Sequence, residues 1–338
     1  MRRHGDPASS APSVAVVITA YTTERWSQIE KAVESARTQV LAPAEILLCI
    51  DNNPELLERA TRRWKGDEKV RVFGNRFREH LEHTGAHEKI HGAARRFGAG
   101  SARNAAAEVA TSDVLVFMDD DAWAEPDWLA RLLDVFGQIP AAVAVGGPPL
   151  PEFEASRPAW FPRSFDWIFG CAYEGLPVET SRLRHLFAGN LAVRREAMAA
   201  VGGFHSVDFD DLDMCMRLAE KFGTHALWFE PRAIVHHYVP KDRTTWRYFY
   251  RRCFFVNRHK VQAFREMGSA ADLSAELDFV AGTLRNLATK ELMRVVRREP
   301  GAIRSMGAAV AGIVLAGLGN LRGRFDPPLR EDMARPKL

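Results

Sequence analysis

Cysteine is scarce in this chain. There are four in 338 residues, at positions 49, 171, 215 and 253, with no Cys-x-x-Cys pair. Such spacing excludes a disulfide framework and a thiolate zinc site and fits a reducing compartment. An excess of one charge is also lacking. A formal net charge of +3 is too small to mark a nucleic-acid partner. Residues 1–12 lack the apolar core of a secretory signal and read as a flexible tail. No internal repeat is visible. What the chain has in quantity is hydrophobic residues, 46% of the total. They exclude a disordered polymer and predict one large domain or two small ones.

Two stretches stand apart from this average. Residues 241–265 hold eight Lys/Arg and one acid, Asp242. Residues 306–318 are nearly uncharged and rich in Ala, Gly, Val and Leu, with Arg294, Arg297, Arg298 and Arg304 before them and Arg322 and Arg324 after. The second run is too short and too glycine-rich for a membrane span. It reads as a helix resting on an anionic membrane surface, or as one packed on its own domain or on a second copy in a homodimer.

Two kinds of segment alternate in the first half. A β-branched run at 14–19 predicts a buried strand. Residues 26–39 carry Ile29, Ala32, Val33 and Ala36 at helical spacing. Strands are expected at 45–50, 69–73 and 114–118. Helices are expected at 54–64, where Pro54 suits the first turn, and at 99–110. This βαβα rhythm predicts an α/β fold with a mostly parallel central sheet flanked by helices. Ligands of such sheets sit beyond the carboxyl ends of the strands. The middle is less regular. Residues 148–177, with six prolines and Trp160, Phe161, Phe165, Trp167, Phe169 and Tyr173, read as a long structured loop. Its aromatics would stack on a ligand, cover it, or simply pack. Helices are expected at 194–201 and 212–222, a strand at 233–239, and a wholly helical region beyond Pro240. Domain limits follow as 13–125, 126–240 and 241–338.

Acids gather where such a sheet would bind a ligand. Asp119, Asp120 and Asp121 directly follow the strand at 114–118. Adjacent carboxylates repel unless a cation or solvent screens them, and hard oxygen donors suit Mg²⁺ or Mn²⁺. In extended chain Asp119 and Asp121 share a side. The competing reading is a solvated acidic turn. Asp51 ends the strand at 45–50 and could accept hydrogen bonds from a base or ribose, though Asp-Asn-Asn-Pro is also good turn chemistry. Thr19, Tyr21 and Arg25 could wall the same pocket. Gly98 to Asn104 is glycine-rich but is neither a dinucleotide fingerprint nor a Walker A loop; its Arg103 could face a phosphate or brace the sheet. Asp208, Asp210, Asp211 and Asp213 lead into a helix, where acids are favoured by free N–H groups. Asp211 is the choice for a general base. Of the neighbours His236 and His237, on opposite faces of a strand, at most one would join the Asp cluster at a metal.

Taken together, these residues resemble glycosyltransferase family 2, the inverting group with the GT-A fold, over roughly residues 14–240. The matching pieces come in the family's order: Val14–Tyr21, Ile50-Asp51-Asn52-Asn53, Gly98–Asn104, Phe117-Met118-Asp119-Asp120-Asp121 as its DXD motif, Gly189–Glu196 with Val201–Phe204, and Asp210-Asp211-Leu212-Asp213. The resemblance implies metal-dependent transfer from a nucleoside-diphosphate sugar, a UDP-sugar favoured, to an unknown acceptor. It implies Mn²⁺ or Mg²⁺ on Asp119, Asp121 and His237, and Asp211 as the base. Thr19, Ala20, Tyr21, Arg25, Asp51, Arg103, Asp119, Asp120, Asn190 and Asp210 would hold the donor. A cytoplasmic chain is expected, with peripheral contact at the inner membrane face through the C-terminal helices. The rival readings are a sugar-phosphate nucleotidyltransferase, whose basic glycine-rich signature is missing after the first strand, and a degenerate binding or scaffold protein. Nucleic acid is not expected as a partner: in the basic helix at 244–264, Trp246, Phe249, Tyr250, Cys253 and Phe254 interleave at core-like spacing.

Overall fold

The computed structural model describes residues 12–75, 98–205, 209–266, 281–282, 284–285 and 287–326. The expected tail at 1–12 and Asp208 therefore lie outside the described residues, apart from Pro12. In chain order the elements are β1 (Val14–Ala20), α1 (Trp26–Arg37), β2 (Glu45–Ile50), α2 (Pro54–Arg63), β3 (Val70–Gly74), α3 (Ala99–Val109), β4 (Val114–Asp119), β5 (Ala122–Ala124), α4 (Trp128–Gln138), β6 (Ala144–Gly146), β7 (Pro149–Phe153), β8 (Ser181–Arg182), β9 (Asn190–Arg194), α5 (Arg195–Ala200), α6 (Asp210–Phe222), β10 (Leu227–Phe229), β11 (Val235–Val239), α7 (Trp246–Glu266), α8 (Leu292–Val296) and α9 (Ala302–Phe325).

Eight strands make the main sheet, in the order β3-β2-β1-β4-β9-β6-β10-β8. The first four are parallel, as the βαβα rhythm predicts, while β9 inserts antiparallel between β4 and β6. Alternation along β1 explains the layers. Val14, Val16, Ile18 and Ala20 face one core, shared with α1, α2 and α4. Ala15 and Val17 face a second core, shared with α3, α5 and α6. Local signals fix the ends of these helices: the Asn53 side chain accepts from Leu56 N–H and caps α2, whose first residue is Pro54.

Register sets the site. Thr19 stands opposite both Cys49 and Asp119, so β1, β2 and β4 finish at one edge. The antiparallel β9 begins at that edge, with Asn190 opposite Met118. A small sheet, β5-β11-β7, places His237 opposite Ala122.

Three differences from the sequence reading have physical causes. The loop expected at 148–177 opens with β7, paired parallel to β11, and contains a 3₁₀ helix at Arg163–Phe169. The helix expected at 194–201 is α5, but it follows directly on a strand the sequence did not signal, β9 at Asn190–Arg194. Helix α6 starts at Asp210 rather than 212, so its acids are part of its first turn.

A third core joins the aromatic segment to the C-terminal helices. Phe161, Phe165, Ile168 and Phe169 pack with Phe249 and Cys253 of α7 and with Ala308 and Ala309 of α9. Trp160 stacks on Trp246 at 3.7 Å between ring centroids. Packing is thus what these aromatics do. The glycines of α9 have a related role. A Cβ on Gly319 would stand 2.1 Å from the Phe254 carbonyl oxygen, and one on Gly323 would stand 2.4 Å from that of Arg258. Backbones of α7 and α9 approach so closely that only hydrogen fits.

Candidate active site

The three aspartates after β4 divide between two sides. Asp119, at the strand's end, accepts a 2.8 Å hydrogen bond from Arg103 Nη2. Asp120 and Asp121 are buried, and both meet Arg25 Nη1, at 2.8 and 2.9 Å. Asp121 also lies 3.6 Å from His237 Nδ1. Donor atoms of Asp119, Asp121 and His237 all fall within 4.8 Å of one another. The buried His237 Nε2 finds no hydrogen-bond partner among the described residues. Two carboxylates and an imidazole with an unsatisfied ring nitrogen fit a divalent cation such as Mn²⁺ or Mg²⁺. His236, one residue earlier, faces the other way: its Nε2 is 2.7 Å from Glu125 and its ring stacks on Trp123.

Arg103, from the first turn and a half of α3, joins this cluster to the second acidic set. Its Nη1 donates to Asp210 Oδ2 and its Nη2 to Asp119 Oδ1, each at 2.8 Å, and the residue is 6% exposed. One guanidinium, 107 residues before Asp210 in the chain, therefore ties the start of α6 to the end of β4. Small residues let the acids approach. A Cβ on Gly189 would come within 2.4 Å of Asp119, and one on Gly100 within 3.2 Å of Asp210. Asp210 Oδ1 in turn accepts from Asp211 N–H, and Asp211 Oδ1 accepts from Leu212 N–H.

His185 was not read from the sequence. Its Nε2 stands 3.2 Å from Asp211 Oδ2, and the Ala188 N–H approaches the same oxygen at 3.4 Å. No local pattern marks a lone histidine; only its position four residues before Gly189 could have drawn notice.

Electrostatics separates neighbours. Burial pushes Asp120 up to about 7, helped by the charge of Asp121 and opposed by Arg25. Burial pushes Asp210 up to about 6, against the pull of Arg103. Burial works on Asp211 too, but His185, the Leu212 N–H and Arg103 outweigh it and hold that carboxyl below its usual range. Arg25 and Arg103 are both raised: burial opposes their charge, and the aspartates around them more than offset it. Two adjacent acids at the head of α6 thus hold protons differently, with Asp211 the more readily ionised.

The remaining expected residues distribute as follows. Asp51 Oδ1 accepts from Asn75 Nδ2 and its Oδ2 from Gly98 N–H, while Asn53 reaches back to the Tyr21 carbonyl. Thr19 and Ala20 end β1, and Tyr21 follows them, exposed and 5.3 Å from Arg25. Asn190 stands elsewhere. It is fully buried, accepts from Trp128 Nε1 and donates to the Ala233 carbonyl, so its amide braces the sheet interior instead of facing the rim. Arg103, free to face a phosphate or to brace on sequence grounds, is engaged by its two carboxylates.

A mixed α/β sheet with an acid-lined rim at its carboxyl edge is a GT-A-like fold, and the comparisons with known proteins support a glycosyltransferase. Residues 87–202 match the family described as glycosyl transferase family 2. Over 256 residues the chain is 28% identical to the glucosyl-dolichyl phosphate glucuronosyltransferase of Haloferax volcanii, covering 73% of this chain and 76% of that one. It is 31% identical over 159 residues to the succinoglycan biosynthesis protein ExoM of Rhizobium meliloti, covering 45% and 48%. Among solved structures, a mannosyltransferase of Pyrobaculum calidifontis, determined with GDP-Man and Mn²⁺, superposes with a TM-score of 0.55 at 18% identity over 93% of this chain and 88% of that one. Over residues 87–202 the chain is thus similar to glycosyltransferase family 2, and its relatives are named glycosyltransferases or act in polysaccharide biosynthesis by name.

Proposed function

We propose that this enzyme moves a sugar from a nucleoside-diphosphate sugar, with a UDP-sugar the first donor to test, to an acceptor hydroxyl by single displacement with inversion. One observation carries the reading: Arg103 ties the Asp210–Asp211 helix start to the same rim as Asp119, Asp121 and His237. Asp211 is the general base. It is ionised at neutral pH and part exposed, as proton abstraction from an acceptor requires. His185 is a positioning residue that keeps Asp211 charged and oriented. Asp51 and the β1 end receive the nucleoside. Asp119, Asp121 and His237 would hold a divalent cation, which would supply positive charge for the leaving diphosphate. Arg103 fixes the spacing between the two acidic sets, and Arg25 holds Asp120 and Asp121 in place.

Similar proteins support parts of this. The mannosyltransferase was solved with GDP-Man and Mn²⁺, and the Haloferax volcanii relative is named for glucuronosyl transfer involving glucosyl-dolichyl phosphate. A lipid-carried acceptor and a peripheral site at the inner membrane face belong to the same reading. Four buried free thiols suit the reducing, cytoplasmic side. The test is a thermal-shift screen of nucleoside diphosphates and nucleotide sugars with and without Mn²⁺. Stabilisation by a nucleoside diphosphate only when the ion is present is expected. No nucleotide-dependent shift under any condition would refute the reading.

A further inference from the structure

Helix α9 has two unlike faces. Ala302, Ser305, Ala308, Ala309, Gly312 and Gly319 are buried toward α7 and the aromatic segment. On the other side Ile303, Val310, Val314, Leu318, Leu321 and Phe325 are each about half to three quarters exposed, from 49% at Leu318 to 76% at Phe325. At 3.6 residues per turn all six fall within about 40° of Val314 around the axis. They form one continuous apolar stripe along 24 residues, far from the scattered single hydrophobics of an ordinary surface. Arg304 and Arg322 project about 80° to one side of the stripe, and Arg324 about 80° to the other. All three are exposed, and α9 contains no acid.

We propose that this stripe seats α9 in the plane of an anionic phospholipid surface, apolar residues entering the acyl boundary and arginines meeting the headgroups. Two other occupants fit worse. The helix is long and apolar enough to cross a bilayer, but crossing would drag α7 with it. Their backbones touch at Gly319 and Gly323, and α7 carries Arg247, Arg251, Arg252, Arg258 and Lys260. A second copy paired through the same stripe would set arginine against arginine, and the one acid at the end of each helix, Asp326, is already paired with Arg258 and Arg322 of its own chain. An anionic surface answers all of them, together with the exposed Arg297 and Arg298 just upstream. The third core makes α9 one body with α7 and the 3₁₀ segment, so lipid held at the stripe is held by the same unit that follows β11 and His237.

The test is flotation of the full chain with phosphatidylcholine vesicles, plain or containing phosphatidylglycerol. Wild type should float with the anionic vesicles and much less with the neutral ones. The double variant Val314→Glu/Leu318→Glu should lose about tenfold or more of that binding, and Arg304→Glu should lose less, while thermal melting of both variants stays as in wild type. Equal flotation of the double variant overturns the proposal, as does wild type that binds neither vesicle or both alike. A wild-type dimer that the double variant turns into a monomer, with no vesicle binding, assigns the stripe to a second copy and also overturns it. Flotation needs neither donor nor acceptor, so failure here leaves the assignment of Asp211 standing, and loss of that assignment leaves the stripe.

Discussion

The rim and the C-terminal hairpin solve opposite problems. At the rim, charges that solvent would welcome are held inside: Arg103 is 6% exposed between two carboxylates, and Asp120 is 3% exposed beside a third. In the hairpin, α7 and α9 meet through glycines with backbone against backbone. The first arrangement raises and lowers pKa values and leaves His237 Nε2 and Asp120 Oδ2 without hydrogen-bond partners among the described residues. The second leaves no room at all. Burying unpaired polar groups lowers stability unless a ligand repays it, whereas close backbone packing raises stability and has no ligand to wait for. Substitutions should therefore divide cleanly. Rim variants should alter chemistry with the fold intact, and hairpin variants should alter the fold with the chemistry intact.

The largest effect is expected from Asp211→Asn. Loss of a general base lowers turnover by about 10²- to 10⁴-fold, and the amide keeps the helix start in place. Nucleotide affinity, measured by calorimetry, should stay within a few-fold of wild type. Near-normal turnover in the purified variant would break the comparison at its centre, because the ionised acid at the rim would then be a helix cap and nothing more.

Next comes Gly319→Val in the hairpin. The new side chain would collide with the Phe254 carbonyl, and overpacking of this kind destabilises by about 1–3 kcal/mol. The collision is with backbone, so the upper end is expected, read as a lower melting temperature. Below that temperature nucleotide binding should persist. Unchanged melting would show that α7 and α9 separate without consequence, and the contrast with the rim would fall.

His237→Ala sharpens the rim side. Removing a direct ligand should weaken Mn²⁺ binding by at least the 10- to 100-fold, roughly, that loss of an outer-shell partner brings. The stabilisation of the nucleotide complex by Mn²⁺ should shrink accordingly, while melting of the metal-free protein changes little. His236→Ala, which removes contacts to Glu125 and Glu152 and the stack on Trp123, should leave Mn²⁺ binding as it was. If the two variants behave alike, the ligand set is wrong.

How much of this was written plainly in the chain differs between the two regions. β1, β2, β4 and α1 were legible because runs of six to twelve residues show their period. Three-residue strands such as β5, β6 and β10 carry too few positions for any period to show, and they exist because neighbours pair with them. β9 was visible as a motif but not as a strand, since Asn190–Val193 is buried on both faces and does not alternate. The acids could be picked out one by one because carboxylates at strand and helix ends are unusual. Their partners were harder. Nothing around His185 marks it, and the bridging geometry of Arg103 is a property of two elements that meet only in space. Composition alone described α9 as apolar and glycine-rich without saying that the glycines lie on one face and the large residues on the other.

The smallest effect concerns pH, and its sign follows from the unequal pair at the head of α6. Asp210, pushed up to about 6 by burial, has a folded pKa above the roughly 3.9 of an unfolded aspartate. Its ionisation therefore opposes folding. That penalty is absent below about pH 4, grows between about 4 and 6, and is complete above. Asp211, held low by His185 and its neighbours, contributes stability above about pH 4 that is lost as the pH falls through its folded value. Between the two lies a window in which Asp211 stays ionised while Asp210 takes up a proton. Protonated Asp210 weakens its bond to Arg103, the contact that holds the start of α6 against the rim. The acid limb of the rate profile should accordingly lie near pH 6, well above the ionisation of the base itself. In Asp210→Asn, whatever its plateau, that limb should move down toward the range in which Asp211 itself takes up a proton. A limb that stays in place would point to Asp120, raised to about 7 on the other side of the cluster, as the group whose charge the reaction needs.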